Sequence, residues 1–288
     1  VEWIRKTSVG RFSSTREQWG MSANGLIAVE QDAEVYFFDD GDWDKDYIDA
    51  TPPDDNHWPR GMHIAGIVTQ VDHIIYMPRI GAHSLAGLTL GQKSAIGWLR
   101  DDSRHDMHHD AQFFYEKYTE VNYTKEIRDR FRMVVTVAEK ALLHGGPDMG
   151  TIYALDPAIV VASTALPNHD SVACSLLVTL QNQVPATGGG MTYTAGFAAF
   201  ANSAFANGAG VVGTAATQAG PWQSGSPASS YTAHPFEQGI TKDRAITRGW
   251  ELTGGKPSSI DVTLDGETLD PMLKSSLVTH GEGLYNFG

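Results

Sequence analysis

The apolar run Ile74-Ile75-Tyr76-Met77 is closed by Pro78. It is too short for an ordinary helix, and proline has no N–H with which to continue a central strand. The run therefore reads as a buried strand that ends there. AIVVAS at 158–163 and EVYFF at 34–38 are strand candidates too. Around and between them lie helix candidates: 22–32, with Leu26, Ile27 and Val29 on one face, then 111–144, 169–180 and 240–250. Buried apolar strands alternating with helices define an α/β class. We expect one domain over 1–288, with a mainly parallel central sheet that includes Tyr36, Ile75 and Val160, and helices on both faces.

Within 111–144 the helical period runs through Phe114, Tyr118 and Val121, then Ile127, Phe131, Val134, Val135, Ala138 and Leu142. Asn122-Tyr123-Thr124 marks a break between two helices and also fits the N-glycosylation pattern. Gly145-Gly146-Pro147 is a helix stop. At the other end, IDVTL at 260–264 alternates as a strand does, and Asp265-Gly266 is a turn signal.

Charge narrows the function classes. The 288 residues carry a formal net charge of −13, which argues against a duplex nucleic-acid binder. Cys174 is the one cysteine, so an intrachain disulfide, a zinc finger and a cysteine-ligated iron–sulfur cluster are excluded. No apolar run approaches the roughly 20 residues that span a bilayer. The chain starts at Val1 with no leader visible. Removal of an export signal fits that start, so an exported location is favoured over a cytoplasmic one.

Between Asp170 and Glu237 there is no Asp, Glu, Lys or Arg. The middle of this span, 187–230, is an insertion rich in Gly, Ala and Ser with Phe197, Phe200, Phe205 and Trp222 among them. A long uncharged stretch with aromatic anchors suits burial against a second copy of the chain, and a flap over the chain's own site is the rival reading. Gly208, Gly210 and Gly213 satisfy a GxGxxG pattern. No convincing strand precedes them and the first acid after them is Glu237, so a dinucleotide site is disfavoured.

The densest collection of chemistry is 72–110. Arg79, His83, Thr89 and Lys93 lie among glycines and small residues. Arg offers a bidentate fork and Lys a point charge, a pairing suited to a carboxylate or phosphate. A loop gives way to a helix near Gly91, whose free N–H groups would point at the anion. The other reading pairs Arg79 and Lys93 with local acids such as Asp101 and Asp102. His105, His108 and His109 follow, among Asp106 and Asp110. Spacings of three and four put a histidine pair on one helix side, able to hold a divalent metal ion, but the pattern lacks the glutamate of HExxH and a solvated polar helix start is the favoured reading. Asp40, Asp42 and Asp44 alternate like the start of a calcium loop, without the glycine and distal glutamate that such a loop requires. A triad of Ser84, His83 and Asp170 has no GxSxG turn behind it.

PRIGAHSLAGLTLGQKSAIGW, from Pro78 onward, resembles the signature of the DUF362 family of largely uncharacterised α/β proteins, close to P-K-L-K-T-H-x-L-T-G-x-T-x-x-x-K-N-x-x-G. Pro78, His83, Leu85, Gly87, Thr89, Lys93 and Gly97 fit it. The segment 158–173, with its Asp170-Ser171-Val172-Ala173, resembles a later strand and Asp-x-Val-Ala unit, and 246–262 resembles the closing helix–glycine–strand unit. Arg79 and Gly81 stand where the signature has lysines, Ser94 stands for its asparagine, and Ser175 for a second aspartate. Some members carry ferredoxin-like cysteine clusters, which this chain lacks. The resemblance implies an α/β fold without fixing an activity.

Two functions remain open. One is binding, or acting on, a small anionic ligand at the 79–93 residues, with a divalent metal as the candidate cofactor. The other is a self-assembling structural protein, a homo-oligomer or filament through 187–230, whose old site has decayed.

Overall fold

The computed structural model of the chain describes residues 47–83, 86–109, 113–145, 150–184, 240, 243–266 and 268–287. The helix expected at 22–32, the strand at 34–38 with Tyr36, the Asp40, Asp42 and Asp44 loop, Ser84, Asp110, the glycine pattern at 208–213 and the 187–230 insertion all lie outside these residues.

Short strands come first: β1 (Tyr47–Asp49), β2 (His63–Ala65), β3 (Ile74–Tyr76), β4 (Gly81–His83) and β5 (Gly87–Thr89). Helices α1 (Gly91–Ser94), α2 (Asp101–His109), α3 (Phe114–Val121) and α4 (Lys125–Arg128) follow. Then come two long strands, β6 (Phe131–Gly145) and β7 (Gly150–Ser163), and the long helix α5 (Leu166–Gln183). The remaining elements are α6 (Arg244–Glu251), β8 (Ile260–Val262), α7 (Pro271–His280) and β9 (Tyr285–Phe287).

The fold is α/β, with a mixed five-stranded sheet flanked by helices. β7 runs antiparallel along one edge of β6 from Val134↔Ser163 to Gly145↔Gly150. The other edge of β6 is shared. β3 pairs parallel with its first part (Tyr76↔Val134) and β4 with its last (Gly81↔Leu142). β5 closes a hairpin on β4. Ile75 and Val160 therefore share one sheet, as expected from their apolar runs. Residues 77–80, which contain Pro78 and Arg79, form the break between β3 and β4.

The second helix expected within 111–144 is a strand beyond Arg130. The break at 122–124 falls where it was read, between α3 and α4. The apolar positions of 131–142 fit a period of 3.6, but they fit a period of two as well: Val134, Thr136 and Ala138 are buried while Val137 is 48% exposed. Val134-Val135-Thr136-Val137 is a β-branched run, stiff in a helix and well suited to a pleated surface. Strands on both edges supply its backbone with partners, and that pairing decides the conformation. A register shift between Ala138 and Lys140 then returns Ala141 and Leu143 to the buried face. Asn122 is buried, with its Nδ2 donating to three backbone carbonyls, so it does not present a glycosylation acceptor.

α5 covers the buried face. Leu176, Leu177 and Leu180 on it pack with Ala138, Ala141 and Leu143 of β6. Each such leucine contributes about 1.5–3 kcal/mol relative to an exposed one. A second cluster lies around β3 and α3, where Ile74, Tyr76, Phe114, Tyr118 and Val134 meet. The C-terminal elements dock on the far side of α5, where the Tyr285 hydroxyl hydrogen-bonds with Ser171 Oγ at 2.8 Å and Ser175 Oγ at 2.7 Å.

Candidate functional site

α1 begins at Gly91, where the sequence places a helix start, but Leu90 at its cap has no side chain able to accept a hydrogen bond. The missing acceptor comes from α5. Asp170 takes the Gly91 N–H at 2.9 Å on Oδ1 and the Gln92 N–H at 2.7 Å on Oδ2. The anion at this helix start is therefore the chain's own carboxylate, a correction to the expectation that these N–H groups face a ligand. Approach this close requires glycine. A Cβ on Gly91 would stand 2.6 Å from Leu166 Cδ1 and 2.7 Å from Asp170 Oδ1.

A buried polar cluster surrounds this cap. His169 and Asp170 are fully buried, and His169 Nδ1 lies 2.8 Å from Asp170 Oδ1. Gln92 is fully buried, its carbonyl accepting from Asn122 Nδ2 at 2.6 Å. α6 packs over Gln92 through Gly249, where a Cβ would fall 1.9 Å from Gln92 Nε2. Three stretches far apart in sequence (78–97, 158–173 and 246–262) thus converge at Asp170, Gln92 and Gly249. Asn122 Oδ1 and His169 Nε2 are buried here without a hydrogen-bond partner among the described residues.

Asp243 caps α6, accepting the Ile246 N–H at 2.8 Å. Burial, with a smaller contribution from the Asp170 charge, pushes its carboxyl up to about 7 against the helix N–H groups that favour the anion. Burial, followed by Asp243 and Asp170, pushes the Cys174 thiol up as well, so Cys174 is a poor nucleophile.

The sign of the Asp243 effect follows by linkage. A carboxyl raised in the folded state holds its proton more tightly there than in the unfolded chain. Its contribution to stability is complete below the ordinary carboxylate range near 3.8 and is lost as the pH rises through about 7. Asp243→Asn retains a capping oxygen and removes the titration. The stability of wild type relative to this variant should fall by a few kcal/mol between pH 4 and pH 8. Urea unfolding of both proteins across that range measures it, and a constant difference refutes it.

The residues read as ligand-binding are only partly brought together. Arg79 is exposed in the break after β3 and makes no hydrogen bond or ion pair among the described residues. Thr89 ends β5 directly opposite Gly81, so it lies on the same rim. Lys93 is half-buried on α1. His83 is buried at the end of β4, its Nδ1 accepting the Ala86 N–H at 3.1 Å, which ties it into the β4–β5 turn. Asp102 pairs with Arg100 rather than with Arg79 or Lys93: Arg100 Nη2 stands 2.6 Å from it, and the guanidinium holds its carboxyl down at about 2. Asp170 serves α1 and His169, so the triad of Ser84, His83 and Asp170 does not have its acid available.

α2 carries His105, His108 and His109 at the spacing read from sequence, while their side chains lie outside the description. Asp106 binds cations of the chain itself, Lys117 Nζ at 2.7 Å and Arg60 at 3.6 Å. Among the described residues no group of three His, Cys, Asp or Glu side chains is placed to hold a metal ion.

A second polar cluster has no local sequence signal. Glu120, on α3, is fully buried and accepts from the His57 backbone N–H at 2.9 Å, His57 Nδ1 at 2.6 Å and Arg248 Nε at 2.9 Å. Arg248, on α6, also reaches the Asp55 and Glu251 carboxylates and the Asp55 carbonyl. The His57 ring packs on Phe113 at 4.4 Å. Glu120 thereby ties the loop before β2 to α3 and α6. Its partners lie 63 and 128 residues away, which explains why no motif reveals it.

Sheet, helices and the cap made by Asp170 define an α/β domain in which the 78–97 stretch is anchored from α5 and α6. The chain belongs to the family described as Domain of unknown function (DUF362), whose model matches residues 6–175. No curated protein and no solved structure matches it. No helix among the described residues is long and apolar enough to cross a membrane.

Proposed function

We propose that this DUF362 protein binds a small anion at the rim where the β3–β4 break meets the end of β5, with Arg79 as the recognising cation. The observation that carries this reading is Arg79 itself, a guanidinium left exposed just beyond the C-terminal end of a strand parallel to its neighbour. Ligands of open α/β sheets bind outside the carboxyl ends of strands. Thr89, across from Gly81, adds a hydroxyl on the same rim, and Lys93, within the first turn of α1, adds a second charge. His83 supports the rim from inside the β4–β5 turn. Because Asp170 occupies the first two N–H groups of α1, recognition rests on side chains.

Isothermal titration with inorganic phosphate and with a small dicarboxylate tests the site. A lost charge-assisted pair is worth about 1.5–3 kcal/mol, so Arg79→Ala should weaken binding roughly ten- to a hundredfold with little change in stability. Absence of binding to wild type, or equal binding by the variant, refutes it.

A divalent ion held on α2 by His105 and His109 with help from Asp106, Asp110 or His108 is the cofactor reading compatible with this site. Its support is the helical spacing alone. Elemental analysis of the purified protein tests it directly. The structural alternative, assembly through 187–230, would be seen by light scattering as a stable oligomer.

A further inference from the structure

A groove of about 330 Å³ opens at the amino end of β3, the end opposite to Arg79. Thr69, Val71 and Asp72 line it from the turn before β3, and Lys125, Asp129 and Arg130 from α4 and the turn after it. A volume of this order suits a small molecule. Arg130 is held in place there by the backbone. Its Nε donates to the Val71 carbonyl at 3.0 Å, its Nη1 to the Glu126 carbonyl at 3.0 Å and its Nη2 to the Thr69 carbonyl at 3.4 Å. These acceptors are neutral, and each terminal nitrogen keeps a second N–H. The guanidinium is therefore fixed without a carboxylate on it among the described residues. The acids beside it are committed elsewhere. Asp129 pairs with Lys125 at 3.4 Å and Arg128 at 3.3 Å, and Glu126 accepts from the Thr51 N–H and hydroxyl. Asp72 is the exception. Its carbonyl accepts from Arg132 Nη2, while its exposed carboxylate has no ion pair among the described residues. One groove thus carries a positive and a negative charge that do not neutralise each other.

We propose that this groove binds a small zwitterion, an amino acid or short peptide, with the ligand's carboxylate on Arg130 and its ammonium on Asp72. Two opposite charges held apart select a ligand that carries both. A plain anion would meet Asp72 and a plain cation would meet Arg130, and each mismatch costs binding. Arg130 is already ordered by its three carbonyl contacts, so little side-chain freedom is lost when the ligand arrives. The groove shares no residue with the Arg79 rim, so either reading can fail alone.

Glycylglycine is the probe, titrated calorimetrically into the full chain carrying Arg79→Ala, which takes the rim's cation out of the measurement. Saturable binding is expected. Glycylglycine amide, which lacks the carboxylate, should bind roughly tenfold more weakly or worse. N-acetylglycylglycine, which lacks the ammonium, should bind about two- to fivefold more weakly, a smaller loss because Asp72 is exposed. Adding Asp72→Asn should weaken glycylglycine by the same modest factor without weakening the acetylated probe. A merely structural role for Asp72 would weaken both. Arg130→Gln should abolish binding. If that variant fails to fold, the amide probe decides, since it removes the same pair from the ligand's side. Absence of saturable binding overturns the proposal. An acetylated probe that binds as tightly as glycylglycine overturns it in favour of a plain anion site. An amide that binds as tightly overturns it in favour of a cation site. Equal weakening of both glycylglycine and its acetylated form by Asp72→Asn also overturns it.

Discussion

Asp170→Ala should lower the stability of the folded chain by about 2–5 kcal/mol, without loss of any surface contact. The carboxylate is fully buried and accepts from two backbone N–H groups of α1 and lies against His169. Alanine leaves those donors buried and unpaired, and each such group costs about 1–3 kcal/mol. One effect works the other way. Asp170 raises the Asp243 carboxyl pKa, so its removal lets Asp243 ionise more easily. That relief is secondary to burial as the cause of the Asp243 shift, so the net effect remains a large loss. Asp170→Asn keeps one acceptor for the two N–H groups and should fall between wild type and alanine. Urea unfolding measures all three proteins, and a loss below about 1 kcal/mol for alanine would refute the capping role. Since α1 carries Lys93, the same substitution should also weaken the anion binding proposed for the rim, even though Asp170 does not touch that rim.

Glu120→Ala should cost about 3–5 kcal/mol, the range expected when one partner of a buried ion pair is removed. The Glu120 side chain is fully buried and that of Arg248 is 6% exposed, so the charge left behind is shielded from water. Asp55 and Glu251 still reach Arg248 and moderate the loss. Arg248→Met with Glu120→Ala removes both charges together, and the double variant should be destabilised by less than the sum of the two single ones. The coupling should persist in high salt, since Debye screening acts weakly on buried pairs. Additive single effects, or a coupling abolished by salt, would show the pair to be a surface contact. Loss of Glu120 also frees His57 and its loop, so the protease sensitivity of 51–60 should rise in the variant.

Local patterns carried much of the fold. The run ended by Pro78 is β3, and AIVVAS lies in β7. The start of α1 at Gly91, α5 across 169–180, the strand at 260 and the turn at Gly266, where φ is 90°, all follow from nearby side chains and turn formers. In each case one period or one turn chemistry fits and its rival does not. The conformation of 131–145 is different, because its apolar positions satisfy both periods. β6 is a strand because β3, β4 and β7 stand ready to pair with it. The polar groups divide in the same way. Arg79 is legible in sequence as a candidate anion-binding cation, and among the described residues it makes no hydrogen bond or ion pair. Asp170 and Glu120 look like ordinary acids of two helices, and their roles come from partners many tens of residues away. Burial in a low-dielectric interior gives those carboxylates their importance, and only the tertiary structure decides which side chains are buried together.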